Sequence, residues 1–211
     1  MPKLKKGIDI VDLKLLTALY YLGEGTAFDL SKITGVTRGT ASKRLRDLVE
    51  ERILEEPEVD ISTGKLRKVY KAPNRKVIEG LLFKWWKVEV YEEVENITGE
   101  EWEEPPEKAF KEQLKSQIEW DFDIETLKQL RKGVSLKEIL SSEEIDTVTL
   151  FEQEIIGNIE IKDGTVKLTE DGYMTLINRK KENIREEFEV LKEISKEEAI
   201  KFLEELKDKL T

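Results

Sequence analysis

The chain has 211 residues, enough for one large or two small domains, and 39% of them are charged, weighted to lysine and glutamate. It holds neither cysteine nor histidine, which excludes disulfides, thiol nucleophiles, Ser-His-Asp triads and the usual nitrogen and sulfur metal ligands. The net charge of -10 conceals an asymmetry: residues 1–89 carry 18 Lys and Arg against 13 Asp and Glu, and residues 90–211 carry 18 against 33. That division suggests a basic working surface on an acidic carrier.

The first residues, Met1-Pro2-Lys3-Leu4-Lys5-Lys6, are basic, but no apolar run long enough for a signal peptide or a membrane span follows. A cytoplasmic protein with no membrane contact is expected. The abundance of Lys and Glu, with few Asn and Gln, is a composition associated with thermophiles, in which ion-pair networks gain value with temperature.

Val11, Leu15, Leu16, Leu19 and Leu22 recur at helical spacing and Gly23 follows as a stop, so one amphipathic helix is predicted there. After the break Gly23-Glu24-Gly25, Thr26 caps a short second helix expected to bury Phe28, Leu30 and Ile33 and to end at Gly35. Thr37 caps a third helix from Arg38 to Arg52, with Ala41, Leu45, Leu48 and Val49 as its buried stripe. Two helices joined by a tight glycine turn, the second rich in small and basic residues, form the helix-turn-helix pattern. In such an arrangement Arg38, Thr40, Ser42 and Lys43 would reach base edges, and Arg44 and Arg46 would meet phosphates.

Ile53-Leu54 opens a predicted strand to about Ile61, Ser62-Thr63-Gly64 supplies a turn, and Lys65 to Lys71 returns as a second strand. Apolar residues there alternate with Lys65, Arg67, Lys68 and Lys71, so one face is expected on the core and the other toward a polyanion. No acidic residue occurs from Ser62 through Val77.

The segment Ile33-Thr34-Gly35-Val36-Thr37-Arg38-Gly39-Thr40-Ala41-Ser42-Lys43-Arg44-Leu45-Arg46-Asp47-Leu48-Val49-Glu50 resembles the recognition-helix region of winged helix-turn-helix regulators of the MarR/ArsR type. The resemblance covers about a third of the chain. It implies binding of double-stranded DNA as a homodimer, with the third helix in the major groove and the wing on the minor groove or backbone. Without Cys and His the chain departs from the metal-sensing branch, and no metal or cofactor site is carried over.

Asn74 to Val94 reads as a helix whose apolar positions, Val77, Leu81, Leu82, Trp85, Trp86, Val88 and Tyr91, are wider than one stripe. Trp85 and Trp86 serve either as an interface anchor or as core between domains. Glu100-Glu101-Trp102-Glu103-Glu104-Pro105-Pro106-Glu107 is the candidate linker, followed by a helix from Lys108 to Trp120. Then comes a second, weaker copy of the first plan: helices Ile124 to Arg131, Leu136 to Leu140 and Thr147 to Ile156, then Ile159–Lys162 and Val166–Leu168 around the turn Asp163-Gly164-Thr165. Two more helices follow, Glu170 to Leu191 and Glu197 to Leu210. The third helix of the second copy carries Asp146, Glu152 and Glu154 and no basic residue, which does not suit DNA and suits dimerisation, a protein partner of the acidic half, or ligand sensing.

The expected fold is therefore mainly α with small β-hairpin wings (α+β). A DNA-binding domain spans residues 1–76, a connecting or dimerisation helix and acidic linker residues 77–107, and an acidic domain, a second winged helix or an unrelated α+β unit, residues 108–211. The expected function is transcription regulation; the alternative is a tandem winged-helix protein-interaction subunit of a chromosome or transcription complex. An enzyme is not expected: carboxylates such as those of Asp121-Phe122-Asp123 lack an apolar setting and a basic partner, and no phosphate-cradling glycine loop occurs.

Overall fold

Two reciprocal caps set the first helices. The Asp9 carboxylate accepts the N–H groups of Val11 and Asp12 at 3.0 and 3.1 Å, and Asp12 accepts from the Asp9 N–H at 3.2 Å, starting α1 (Ile10–Leu22). After Gly23 the chain forms a strand, β1 (Glu24–Thr26), where the sequence suggested only a break. Thr26 and Asp29 make the second capping box, on α2 (Ala27–Thr34). Gly35, at φ 68°, then turns the chain into α3 (Arg38–Glu50), whose cap is Thr37 as expected. The computed structural model describes residues 7–62, 66–99, 106–122, 124–142 and 145–210.

The hairpin is shorter than its sequence pattern. It comprises β2 (Glu58–Asp60) and β3 (Arg67–Lys71), and Ile53-Leu54 is not strand. Arg52 takes a left-handed conformation, φ 62°, so that the N–H groups of Ile53 and Leu54 both turn back to the Leu48 carbonyl. Those residues close the helix end and place Leu54 in the core. β3 is the central strand of an antiparallel sheet ordered β1-β3-β2.

The connecting helix runs past Val94: α4 (Arg75–Trp86) continues through a π-helical turn (Lys87–Tyr91) into α5 (Glu92–Thr98), which Gly99 ends. Then follow α6 (Pro106–Asp121), α7 (Ile124–Lys132), β4 (Val134–Ser135), α8 (Leu136–Ser141), α9 (Thr147–Ile155), β5 (Ile159–Lys162), β6 (Thr165–Leu168), α10 (Glu170–Ile194) and α11 (Lys196–Leu210). The series α7-β4-α8-α9-β5-β6 repeats α1-β1-α2-α3-β2-β3 element for element, and its sheet order, β4-β6-β5, repeats the first. The protein is thus mainly helical with two small antiparallel three-stranded sheets, an α+β architecture. In the second hairpin Thr165 pairs with Lys162, leaving Asp163-Gly164 as a two-residue turn with both φ positive, which matches strand twist better than a three-residue turn.

The main core runs from Leu13, Leu16 and Leu19 of α1 through Leu30, Leu45 and Tyr70 to Ile78, Leu82 and Trp86 of α4, Phe110 and Leu114 of α6, and Val148 and Phe151 of α9. A smaller core gathers Phe122, Leu130, Leu150, Ile159 and Val166. α9 therefore contributes to both: Val148 and Phe151 to one, Leu150 to the other. α1 is not amphipathic as expected but buried along nearly its whole length, because α9 packs on it together with α2, α3 and α4. Trp86 lies in the core, donates its indole N–H to Gln113 Oε1 at 2.7 Å and packs on Phe110 and Tyr91, while Trp85 is half-buried against the same cluster. Among the described residues no helix is long and apolar enough to cross a membrane.

One glycine fixes how α10 meets the second hairpin. A Cβ on Gly172 would lie 2.1 Å from the Asn158 carbonyl oxygen, which already accepts the Thr169 N–H at 2.9 Å. Backbone cannot yield as a side chain would, so Gly172→Ala is expected to cost about 1–3 kcal/mol or slightly more. Its thermal midpoint should then fall by about 2–4 °C per kcal/mol in a chain of this size; an unchanged midpoint would refute the close approach.

Candidate nucleic-acid interface

Burial of Ala41, Leu45 and Leu48, spaced at four and three residues, fixes which way α3 faces. The opposite side leaves Thr37, Arg38, Thr40, Lys43 and Arg46 exposed, with Ser42 half-buried at the border. Thr37 accepts the Thr40 N–H at 3.3 Å, and the two hydroxyls lie 2.9 Å apart, so both threonines serve the cap. Arg46 donates from Nε to the Ser42 carbonyl at 3.3 Å, which holds it along the open stripe. Burial pushes the Tyr70 phenol of β3 up, while the Arg46 charge acts against that shift.

Arg38 has a support that the sequence reading assigned to the core. Phe28 is 47% exposed, and its ring lies under both the Lys32 ammonium, 4.5 Å away, and the Arg38 guanidinium, 6.0 Å away. The expected burial of Phe28 fails on helix geometry: α2 rotates by about 100° per residue, so Phe28 lies about 200° from Leu30, the buried residue of that helix.

Arg44 requires a larger correction. It was expected at a phosphate, but its guanidinium lies between the carboxylates of Asp9 and Asp12, with Asp12 at 3.5 Å, and its side chain is only 18% exposed. It is one position from buried Leu45, on the flank that α1 covers, and so joins the α1 cap to the middle of α3. Burial pushes the Asp12 carboxyl up to about 6; the Asp9 N–H and Arg44 oppose that shift, and the Asp9 charge adds to it.

On the hairpin, Lys68 and Arg67 are exposed and Lys71 is paired, its Nζ 2.5 Å from Glu58. The bond from Glu58 holds the Lys71 ammonium above its ordinary range. Arg67 stands opposite Asp60 in the strand register. Its charge also reaches Asp29, whose carboxyl partial burial would raise but bonds from the Thr26 hydroxyl and N–H, aided by Arg67 and Lys32, hold low. Lys65 lies outside the described residues, as does the acidic segment 100–105. Leu66, expected on the core face, is 72% exposed and lies just before β3 rather than within it. Among the described residues none of Arg38, Lys43, Arg46 and Lys68 has an ion-pair partner.

The equivalent helix of the second unit has no such open face. Asp146 caps α9 by accepting the Val148 N–H at 2.8 Å and pairs with Lys14 of α1 at 2.5 Å. The Thr17 and Thr147 hydroxyls meet at 2.9 Å, fully within the contact. Glu154 accepts from the Tyr21 hydroxyl at 3.1 Å and from Arg75 at 3.0 Å, while Arg75 also holds Glu79 at 2.7 Å. Desolvation, then the Glu154 carboxylate, drives the Tyr21 phenol far above its usual range. Two of the acidic side chains that made this helix unsuited to a polyanion, Asp146 and Glu154, thus dock it on α1 and α4. Of the carboxylates considered for metal chemistry, Asp123 lies outside the described residues; among those described, no cluster suited to a metal ion forms.

No protein family matches the chain, and no curated protein matches it either.

Proposed function

We propose that the chain is a DNA-binding transcriptional regulator whose first unit is a winged helix-turn-helix, with α3 in the major groove and the β2–β3 wing beside it. The observation that carries this reading is the exposed set Arg38, Lys43, Arg46 and Lys68, which has no ion-pair partner among the described residues in a protein of net charge -10. Unpaired cations along one face of a helix and on an adjacent hairpin are what a phosphate backbone recruits, and an acidic remainder restricts a duplex to that face. Arg38 and Lys43, nearest the start of α3, reach base edges; Arg46 and Lys68 reach phosphates. Arg44 acts one step back, holding α3 on α1.

The second unit is a degenerate winged helix on this reading, its third helix given over to docking. A homodimer, acting in the cytoplasm, would place two α3 helices about one helical turn, roughly 34 Å, apart along the duplex. Exposed Ile184, Val190, Ile200 and Leu203 on α10 and α11 supply apolar area for that contact. The same residues favour the second reading, a tandem winged-helix subunit that binds another protein.

Titration of labelled random duplexes at about 50 and 200 mM salt separates the two. Wild type is expected to bind with affinity that falls steeply with salt, and Arg46→Ala/Lys68→Ala to lose about two units from the slope of log K against log salt. Absence of binding by wild type at low salt would leave the interaction subunit as the working description.

A further inference from the structure

Between α4, α6 and the end of α9 the surface opens into a trough of about 720 Å³, within the size range of small-molecule sites. Four apolar side chains line it. Phe83 and Phe110 meet edge-on at 5.5 Å, and Ile155 and Ile156, both half-buried, come from the second unit.

The charges around the trough do not cancel one another. Lys76 on α4 and Lys111 and Lys115 on α6 border it; all three are exposed, and among the described residues none has an ion-pair partner. The carboxylates that border it are satisfied without them. Glu79 holds Arg75 at 2.7 Å, and Glu107 stands in the first turn of α6, where the helix dipole favours negative charge. Three ammonium groups on apolar stems, around apolar side chains and in a chain of net charge -10, attract an anion that carries an apolar body.

Gly80 supplies a second, independent observation. It lies in the interior of α4, exposed at the edge of the trough, and a Cβ built on it would meet no other atom within 4 Å. Alanine would fit there and would hold the helix better than glycine. Packing within the chain therefore gives no reason for this glycine, whereas a bare backbone at the edge leaves room for an occupant. The lining runs from Lys76 to Phe83 on α4 and from Glu107 to Lys115 on α6, spans of about 10 and 12 Å at the helical rise. That length suits a medium-chain acyl group and is short for a docked peptide helix of several turns.

We infer that the trough binds a medium-chain carboxylate, its anionic end among Lys76, Lys111 and Lys115 and its acyl chain on Phe83, Phe110 and the two isoleucines. The ligand bridges α4, which follows β3 of the first unit, and α9 of the second, so its binding stabilises the joint between them. This site is independent of the DNA-binding reading, and its test uses the free protein.

The full chain is titrated by calorimetry, and melted, with hexanoate, octanoate and decanoate below their micelle concentrations and with octanol. Affinity is expected to rise about three- to fourfold with each added methylene, and octanoate to raise the melting midpoint. Octanol should bind about tenfold more weakly than octanoate, or worse, for want of charge. Lys111→Met/Lys115→Met, which keeps the apolar stems, should weaken octanoate about tenfold and leave octanol unchanged. Gly80→Leu should abolish binding of both while melting no lower than wild type, since leucine favours a helix. Absence of heat from any of the acids, equal binding of octanoate and octanol, or unimpaired binding by Gly80→Leu would overturn the assignment. A fall in oligomer mass on light scattering with Gly80→Leu would overturn it too, by marking the trough as a contact between copies of the chain. DNA binding, measured without ligand, stands or falls separately.

Discussion

Phe151→Ala is expected to lower the free energy of unfolding by about 3–5 kcal/mol, the range for deleting a fully enclosed aromatic ring. Phe151 is wholly buried on α9, with Tyr20 edge-on at 5.4 Å and the Arg75 guanidinium 6.0 Å above its ring. It belongs to the core of the first unit although its helix belongs to the second. Truncation therefore removes packing from the α1–α9 contact between the two repeats, and the polar clasp around it, Thr17 with Thr147 and Glu154 with Tyr21 and Arg75, stays behind. In denaturant the wild type should unfold in one transition by tryptophan fluorescence and by circular dichroism. The variant should unfold earlier, with the two probes no longer coincident. A loss under about 1 kcal/mol with coincident probes would mean that the clasp, not the ring, joins the units.

That joint is also where sequence reasoning stopped short. Caps and stops were legible because they are local: Thr26, Gly35 and Thr37 act within three or four residues, and the stripe Ala41, Leu45, Leu48 declares its own period, although the reciprocal bond of Asp29 to Thr26 went unread. The repeated element order was legible for the same reason, each hairpin announcing itself by alternation and turn residues. The docking of α9 on α1 was not, since Thr17 and Thr147 are 130 positions apart and nothing in either segment names the other. Strand β1 has three residues and exists only because β3 supplies its partners.

The candidate interface divides along the same line. Exposure of Arg38, Lys43 and Arg46 follows from helical spacing, whereas the withdrawal of Arg44 depends on carboxylates 32 and 35 positions earlier, and that of Lys71 on a cross-strand neighbour, Glu58. A count of basic residues thus overstated the charge available to a polyanion. Alternation put Leu66 on the core face, but how far the core extends beneath a hairpin is a tertiary property, and there the expected burial failed.

Arg44 carries the last prediction, because its loss should act through pH. Asp12 is 4% exposed and its carboxyl titrates at about 6, above the ordinary 3.8, chiefly through burial. A carboxyl whose folded-state value is raised binds its proton more tightly folded than unfolded, so its effect on stability is harmless below about 3.8 and becomes a cost as pH rises toward 6. The full cost, about 3 kcal/mol at 1.36 kcal/mol per unit, is in place at neutral pH with Arg44 present. Removing the guanidinium leaves two carboxylates facing each other across the α1 cap. Arg44→Ala should therefore destabilise by about 1–3 kcal/mol at pH 7.5 and by distinctly less at pH 5, where Asp12 can hold a proton. Asp12→Asn, which keeps an acceptor for the Asp9 N–H but cannot ionise, should abolish that pH dependence in the Arg44→Ala background. The measurement is urea unfolding of the four proteins at both pH values and fixed salt. A loss for Arg44→Ala that is the same at pH 5 and 7.5 would show that the arginine holds α3 by packing and hydrogen bonds alone, with its charge playing no part.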